Sequence, residues 1–455
     1  MSFRITPSII RAIAIVATLA LSSVSSAAEP DVTAFVHVNV VPMDRERVLA
    51  DQTVLIGKGV ISAIGRDVRV PSGARVIDGR GKFLSPGLAD MHSHSDTRED
   101  MKVYLANGVT TVLNLGGASS DFVDQLMPLL NRGERPGPHV YAALRIDGTP
   151  QYGQFVVKTP EEARWAVRLA KTNGYRFIKV YNNLSPSTFA AAADEARKQG
   201  LGLSGHHLEQ LPLTAELDSG SFLVAHLEEV MYGLFKSSDK NPLAPPPESV
   251  IGQAAALLKE KHAFVVADLF TFESIAEQWG RPDVVARYFA ESEAKYVPVP
   301  WRLAWRRDDY AKRSGSLNER AAFLGRLALE LNNAGVPIVA GTDAPTIPGV
   351  VPGFSLHENL DRLAAAGLTP FQVLASATRT PGEYISRTIQ DSPPFGEIKT
   401  GYRADLILSD SNPLTELGTL RTPTGVMSHG RWFGRDELRQ LLTGVASDYS
   451  AAEAN

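Results

Sequence analysis

The sequence predicts an α/β protein, a (β/α)8 TIM barrel with a small β-sandwich domain formed from both chain ends. Two observations carry this prediction. The middle of the chain alternates short apolar runs with longer, Ala-rich helical patterns, which is typical of a parallel sheet covered by helices. Both ends instead contain β-branched runs separated by glycines, a pattern that favours short strands joined by turns.

The first residues, 1–28, are predicted to be a signal peptide. Arg4 and Arg11 precede an apolar run, 12–21, and small residues follow through Ala28. The apolar run is too short to span a bilayer, and its flanks match a cleavable signal rather than the alternative, an uncleaved anchor. We therefore expect a secreted or periplasmic protein with no membrane span after signal cleavage.

Composition excludes several classes of site and partner. The chain has 455 residues, no cysteine and a formal net charge of -4. Without cysteine there is no thiolate metal site and no cysteine nucleophile, so a metal site must use His, Asp, Glu or a modified side chain. The charge gives no reason to expect nucleic acid as a partner. The length is sufficient to bury a large core without disulfides.

The β-sandwich domain is predicted to combine residues 29–84 with residues 392–440. Gly and Pro punctuate strand-like runs in both segments, at 36–41, 53–56, 404–408 and 425–430. The remaining tail, 441–455, is rich in Ala, Ser and Glu, and we expect it to fray.

The barrel is predicted to occupy residues 85–391. Its strands are expected near 84–91, 109–115, 140–146, 177–181, 201–205, 222–225, 263–269 and 336–340, with helices that include 160–173, 185–199 and 318–334. Eight strand–helix units over about 300 residues suggest a closed barrel. An open doubly wound sheet is the alternative, but no G-x-G-x-x-G follows a first strand.

Two segments between predicted elements are unusually long, 228–249 and 271–315. Insertions after barrel strands lie at the catalytic face, so both are candidate lids or substrate walls. Trp301 and Arg302 in the second insertion are candidate substrate-binding residues, since an aromatic wall with an arginine suits an aromatic, acidic substrate. A solvated helix face is the alternative.

Polar residues recur where the predicted strands end. His92 and His94 are two residues apart, so their side chains point the same way. His206, His226 and Asp343 each follow another apolar run. Because all strand C-termini of a parallel barrel meet on one face, these groups are expected to converge. One buried histidine could be structural, but five such groups would be costly to desolvate without a ligand.

Lys179 lies inside the apolar run 177–181, where an ammonium group is disfavoured. Either the lysine reaches the rim of the barrel, or its neutral amine takes up CO2 and becomes a carbamate able to bridge two metal ions. Tyr181 lies two residues on, on the same strand face, and is the first candidate to stabilise an oxyanion. Arg145 and Tyr232 are weaker candidates near the site.

Together these motifs resemble the amidohydrolase superfamily, most closely its imidazolonepropionase/prolidase-like branch. The residues that carry the resemblance are Ser85-Pro86-Gly87-Leu88-Ala89-Asp90-Met91-His92-Ser93-His94, Ile178-Lys179-Val180, Gly205-His206, Ala225-His226, Gly341-Thr342-Asp343-Ala344 and Gly401-Tyr402-Arg403-Ala404-Asp405-Leu406. The resemblance implies a barrel flanked by a β-sandwich. It also implies that His92, His94 and Asp343 hold one metal ion, that His206 and His226 hold the other, and that carboxylated Lys179 bridges them.

His206 is followed by His207, which leaves one ligand position ambiguous. Strand alternation places Gly202, Ser204 and His206 on one face, and the family pattern also favours His206. A register slip of one residue would select His207 instead.

The predicted function is metal-dependent hydrolysis of an amide bond in a small peptide or N-acyl amino acid, as in a dipeptidase or aminoacylase. Two divalent ions, for which zinc suits the ligands, would hold a bridging hydroxide, and Asp343 would take up its proton. The expected partner is a small-molecule substrate, and a homo-oligomer is left open.

The sequence is also compatible with three other functions. A mononuclear deaminase could use Glu209 of His206-His207-Leu208-Glu209 as a proton shuttle, although a one-metal site needs no bridging Lys179. A lactone or ester hydrolase could use the same two-metal site. A metal-binding envelope protein without catalysis is the alternative from another class.

Overall fold

The computed structural model describes residues 32–220, 222–235 and 241–454. The predicted signal peptide, 1–28, therefore lies outside the described residues. The described strands are β1 (Val32–Val40), β2 (Leu49–Gly57), β3 (Val60–Gly65), β4 (Arg75–Asp78), β5 (Phe83–Pro86), β6 (Leu88–Ser93), β7 (Val109–Asn114), β8 (His139–Asp147), β9 (Phe155–Val156), β10 (Phe177–Val180), β11 (Gly202–Gly205), β12 (Phe222–Val224), β13 (Phe264–Ala267), β14 (Ile338–Ala340), β15 (Leu406–Ser409), β16 (Gly425–Ser428) and β17 (Arg431–Gly434).

The described α-helices are α1 (Arg98–Ala106), α2 (Met127–Asn131), α3 (Pro160–Thr172), α4 (Pro186–Gln199), α5 (Leu213–Leu217), α6 (Leu227–Leu234), α7 (Ile251–Glu260), α8 (Leu269–Gln278), α9 (Pro282–Ala290), α10 (Val299–Trp305), α11 (Asn318–Ala334), α12 (Phe354–Ala365), α13 (Pro370–Ser376), α14 (Arg379–Thr388) and α15 (Arg435–Ala454). Most of those between Arg98 and Ala365 follow barrel strands, as the alternating pattern predicted. None of the helices in the described ranges is long and apolar enough to span a membrane.

The barrel is a parallel sheet in which β6, β7, β8 and β10 to β14 are neighbours in chain order. All eight predicted barrel strands are present, which confirms the predicted fold class. The short strand β9 pairs beside the end of β8. Strands buried on both faces explain the uninterrupted apolar runs, because helices cover the outside while side chains fill the inside.

The barrel closes where β6 meets the segment after β14, a junction we call the barrel seam (His92–His94 and Thr342–Ala344). The carbonyl oxygen of His92 accepts backbone N–H groups from Thr342 at 3.1 Å and Asp343 at 2.8 Å, and the N–H of His94 donates to Ala344 at 2.7 Å. The carboxylate of Asp90 braces this junction, since it accepts the Thr342 hydroxyl at 2.6 Å. Three residues of the predicted site therefore lie on the seam itself.

Local sequence explains where the main helices begin and end. Thr159 and Glu162 form a capping box at the start of α3, and Ser185 caps α4 through its hydroxyl. Such caps satisfy the free N–H groups of the first turn. Gly335 ends α11 in the left-handed region, with φ of 82°, a conformation that glycine adopts without steric cost.

The second sheet is built from both chain ends, in the order β17, β16, β15, β5, β1, β2, β3, with β4 also paired to β1. It curls so that β3 meets the C-terminal segment again, through a bridge between Val60 and Arg403. Its own core contains Phe35, Val54, Leu406 and other buried apolar side chains.

The two sheets are joined through β5, which continues almost directly into β6. Gly87 separates the two strands, and a Cβ there would lie 2.2 Å from Oγ1 of Thr110. Only glycine lets the backbone pass so close to β7. The second sheet thus holds the strand that delivers His92 and His94.

The prediction that the tail, 441–455, is frayed is wrong, because residues 435–454 form helix α15. Val445 is fully buried and Tyr449 is 9% exposed in a cluster with Val103 of α1. Leu438, Leu441, Leu442, Val445 and Tyr449 recur at helical spacing, which gives an apolar stripe. The Ala, Ser and Glu content that predicts a frayed tail obscures this periodicity.

Candidate metal centre and active site

Four histidines share one arrangement, in which Nδ1 of each ring is bound to an acceptor. The pairs are His92 with the carbonyl of Ala225 at 2.7 Å, His94 with the carbonyl of Gly116 at 2.6 Å, His206 with Oε1 of Glu229 at 2.6 Å and His226 with Oδ2 of Asp268 at 2.5 Å. An acceptor at Nδ1 places the ring proton there and leaves Nε2 free to bind a metal ion. This is the environment that histidine ligands of metals usually have.

The four rings form a contiguous cluster at the C-terminal ends of their strands. Ring centroids are 5.3 Å apart for His92 and His94, 4.3 Å for His92 and His226, and 4.8 Å for His206 and His226. The convergence expected from barrel topology is therefore present.

Asp343 lies beside His92 and His94. Its Oδ1 is 2.9 Å from Nε2 of His94 and 3.3 Å from Nε2 of His92, and its Oδ2 accepts the hydroxyl of Thr346 at 2.7 Å. Burial raises the pKa of this carboxyl, but the hydrogen bond and charge of His94 and the charge of His92 outweigh it and hold the pKa well below its usual range. Asp343 is thus ionised, with one oxygen close to Nε2 of both rings.

The backbone conformation of Asp343 orients this carboxylate towards the histidines. Asp343 has φ of 58°, a left-handed conformation that is uncommon for a residue with a side chain. The hydrogen bonds of the barrel seam hold this conformation in place. Strained backbone conformations that the surrounding structure holds in place are typical of functional sites.

Two groups of ligand atoms are close enough to share a metal ion, one formed by His92, His94 and Asp343, the other by His92, His226 and Asp268. Within each group the ligand atoms lie within 4.8 Å of one another. The first group contains the residues predicted to hold one ion. In the second predicted pair, His206 lies beside His226 but in neither group.

His206 and His207 diverge, as strand alternation predicts. The His206 ring lies against His226 and stacks on Tyr181. The His207 ring is bound through Nδ1 to Glu216 at 2.8 Å. The structure therefore brings His206, and not His207, to the cluster.

Lys179 does not reach the rim. Its side chain is fully buried, with Nζ 3.5 Å from Nε2 of His92. Burial lowers the pKa of the amine to about 7, and the attraction of Asp343 and Glu229 only partly opposes this shift. A large fraction of the amine is therefore neutral near pH 7, the form that reacts with CO2.

Tyr181 lies between the histidine cluster and Tyr152, which is 38% exposed. Its ring stacks on His206 at 3.9 Å on one side and on Tyr152 at 4.6 Å on the other. Burial raises the pKa of its hydroxyl, so the phenol stays protonated and can donate a hydrogen bond.

Arg145 approaches the same ring from β8. It is the register neighbour of Lys179 on β10, and its guanidinium carbon lies 5.8 Å from the Tyr181 centroid. Its Nε is buried with no hydrogen-bond partner in the described part of the chain. A buried donor of this kind is available to a ligand.

The other candidate substrate residues lie farther out. Tyr232 is 42% exposed, and the guanidinium of Arg320 lies over its ring at 5.8 Å. Trp301 packs at the edge of a helical cluster around Val297, and Arg302 is half-buried on the same helix, α10.

The insertion reaches the loop after β14 through a different tryptophan. The indole N–H of Trp305 donates to the carbonyl of Pro345 at 2.8 Å. Trp305 is only 1% exposed, so it anchors the insertion beside Asp343 and is not open to substrate.

Sequence reasoning missed the acidic partners of the histidines. Asp268 lies inside the predicted run 263–269 but directly follows β13, so its position at a strand end was the available signal. Glu228 and Glu229 lie in the first turn of α6, and burial raises the pKa of Glu228 to about 8. Glu209, which the deaminase alternative requires, is exposed.

Comparisons with known proteins point to the same fold. No family model matches the chain. An ochratoxinase from Aspergillus niger is 23% identical over 473 residues, covering 89% of this chain and 86% of the relative. A bottromycin amidohydrolase superposes with a TM-score of 0.70 at 20% identity, over 93% of this chain and 91% of the other. A Xaa-Pro dipeptidase with methionine in its active site superposes with a TM-score of 0.62 at 20% identity, over 89% and 100%.

Proposed function

Because the chain has the amidohydrolase fold with histidines, a lysine and an aspartate gathered at its strand ends, we propose that it is a metal-dependent hydrolase of amide bonds. Its substrates would be small peptides or N-acyl amino acids. The observation that carries this proposal is the set of four imidazoles whose Nδ1 atoms are all bound to acceptors. The names of the bottromycin amidohydrolase and the Xaa-Pro dipeptidase support the choice of an amide bond.

The donor set fits divalent metal ions. His92, His94 and Asp343 would hold one ion, and His206 and His226 the other, with a Lys179 carbamate shared between them. Imidazole and carboxylate ligands without thiolates suit zinc. Bound ions would act as Lewis acids on the substrate carbonyl and lower the pKa of the attacking water.

Asp343 and Tyr181 would have separate roles in the reaction. Asp343, ionised and facing His92 and His94, would accept the proton of the attacking water and pass it to the leaving amine. The phenol of Tyr181 would donate a hydrogen bond to the oxyanion that forms at the carbonyl carbon.

Arg145 is the proposed anchor for a substrate carboxylate, because its buried Nε lacks a partner in the described residues and a guanidinium binds carboxylates through paired hydrogen bonds. Tyr232, which is 42% exposed, would contact the outer part of the substrate. Trp301 and Arg302 remain candidates for more distant substrate contacts.

We also propose that the protein is exported, since the charged and apolar pattern of residues 1–28 matches a signal peptide. N-terminal sequencing of protein recovered from the periplasm or medium should begin just after residue 27 or 28. A mature protein that retains Met1 would contradict export by signal cleavage.

A substrate screen tests the central proposal. Purified protein loaded with zinc is incubated with dipeptides, N-acyl amino acids, ochratoxin, and matched lactones and esters, and the products are identified by mass spectrometry. Cleavage of amides, with two ions per chain by metal analysis, is the expected result. Lactone or ester cleavage alone would move the assignment to that class, and one ion per chain with ammonia release would favour a deaminase.

A further inference from the structure

A cavity of about 550 Å³ opens at the face of the barrel opposite the metal centre. It lies where α3, α4 and α14 end, and its floor includes residues that come just before β10, β11 and β12: Arg176, Leu201 and Gly220. Its volume is within the range of sites that bind small molecules. A second cavity of about 430 Å³ adjoins it and shares Arg176.

Basic side chains dominate the cavity. Its lining contains five cations, Lys171, Arg176, Arg197, Lys198 and Arg387, and one carboxylate, Asp391. Arg197 and Lys198 both pair with Asp194, at 2.8 and 2.7 Å. Within the described residues, Lys171, Arg176 and Arg387 make no ion pair, and the whole chain has a net charge of -4. The positive charge is therefore a local property of this cavity.

Helix ends explain part of this charge but not all of it. Four of the five cations lie in the last turns of α3, α4 and α14, where they complement the negative end of the helix dipole. Three helix ends carry about -0.5 each. Together with the carboxylates of Asp391 and Asp194, they leave the five cations with a net positive charge of roughly one to two. Arg176 belongs to no helix, and the dipole gives no reason for its presence.

Two polar atoms in the lining point to a ligand rather than to solvent alone. Nε of Arg176 and Oγ of Ser219 are buried and have no hydrogen-bond partner among the described residues. Buried donors without partners are costly, and an anion that reached them would satisfy both. We infer that this cavity binds a small dianion. A phosphate group and a dicarboxylate both meet this description, because each carries two negative charges and accepts hydrogen bonds through oxygen atoms.

Calorimetric titration of the zinc-loaded protein tests this inference, with inorganic phosphate and succinate as separate probes at low and moderate salt. Binding of at least one probe is expected, with affinity that falls as salt rises because the contacts are ionic. Arg176→Gln should weaken binding at least about tenfold, since it removes charge-assisted hydrogen bonds. Whether phosphate or succinate binds tighter identifies the chemical source.

Three further variants make the result decisive. Arg387→Gln changes an exposed lining residue whose guanidinium lies over the Phe264 ring at 5.5 Å, and it should also weaken binding several-fold. Arg132→Gln is the matched control, since Arg132 is exposed, pairs with Glu134 and lies outside the cavity. No binding of either probe would overturn the inference. So would binding that persists in Arg176→Gln and Arg387→Gln and is lost in His226→Ala, which would place the anion at the metal centre.

Discussion

Nδ1 of His226 lies 2.5 Å from Oδ2 of Asp268, the residue that directly follows β13. Burial lowers the pKa of the imidazole, but the charge and hydrogen bond of Asp268 outweigh this and raise it to about 9. In the absence of an ion, the carboxylate therefore favours a protonated ring. When a cation binds at Nε2, the same carboxylate makes the ring a stronger ligand.

We expect Asp268→Asn to lower metal affinity about 10- to 100-fold, because outer partners of histidine ligands have effects of this size. The measurement is competition against a chelator, followed by metal analysis of the retained protein. Asp218→Asn is the control, since Asp218 is exposed and pairs with Lys261. Equal chelator midpoints for Asp268→Asn and the wild type would show that the carboxylate does not support the site.

Asp343→Asn should reduce kcat on an amide substrate by about 10²- to 10⁴-fold, because the amide cannot accept the proton of the attacking water. Thr346→Val removes only the hydroxyl that orients Oδ2 and should cause a smaller loss. Metal content is measured on both variants so that a loss of ions is not mistaken for a loss of the base. Unchanged kcat in metal-replete Asp343→Asn would exclude Asp343 as the proton acceptor.

Carbamate formation on Lys179 should increase as pH rises through about 7. Burial lowers the pKa of the amine to that value, and only the amine that has lost its proton attacks CO2. Protein equilibrated with ¹³C-labelled bicarbonate should show a carbamate signal in ¹³C NMR that grows between pH 6 and pH 8. Lys179→Gln should show none. A signal absent at pH 8, or present equally in Lys179→Gln, would contradict the carbamate.

Tyr181→Phe separates the hydroxyl from the ring. The stack on His206 and Tyr152 is kept, so folding and metal content should be unchanged. Loss of a hydrogen-bond donor to the oxyanion should lower kcat by about 10²-fold with little change in KM. If kcat is unaffected while Tyr181→Ala unfolds or loses metal, the ring serves only in packing.

Arg145→Gln should raise KM for N-acyl amino acids that carry a free carboxylate, by about tenfold or more, with a smaller effect on kcat. The same substrates with the carboxylate converted to an amide provide the control, because they lack the group that the guanidinium would bind. An equal effect on both substrate sets would mean that Arg145 acts through Lys179 or Tyr181 rather than on the substrate.

Patterns along the chain were sufficient for the barrel because its strands are buried on both faces and its helices are capped by recognisable residues such as Thr159 and Ser185. Because the strand C-termini of a parallel barrel meet on one face, their positions after apolar runs also predicted that His92, His94, His206, His226 and Asp343 lie together. Asp268 is harder to identify from the sequence, because it lies inside the apolar run 263–269 although it directly follows β13.

Other features depend on contacts that no local pattern encodes. That Trp305 and not Trp301 reaches the carbonyl of Pro345 depends on how α10 packs against the loop after β14. The position of Arg176 beside a cavity depends on three helices that end together. Helix α15 was hidden because its composition resembles that of disordered tails, although its apolar residues have helical spacing.

The barrel seam joins parts of the chain that are synthesised far apart. Asp90 and Thr342 are 252 residues apart, and closing a loop of that length costs roughly 5 kcal/mol of chain entropy. Since His92 and His94 lie on one side and Asp343 on the other, an ion held by all three would act as a cross-link over this distance, much as a disulfide would. Metal supply in the compartment where the chain folds would then set how much of the protein completes its barrel.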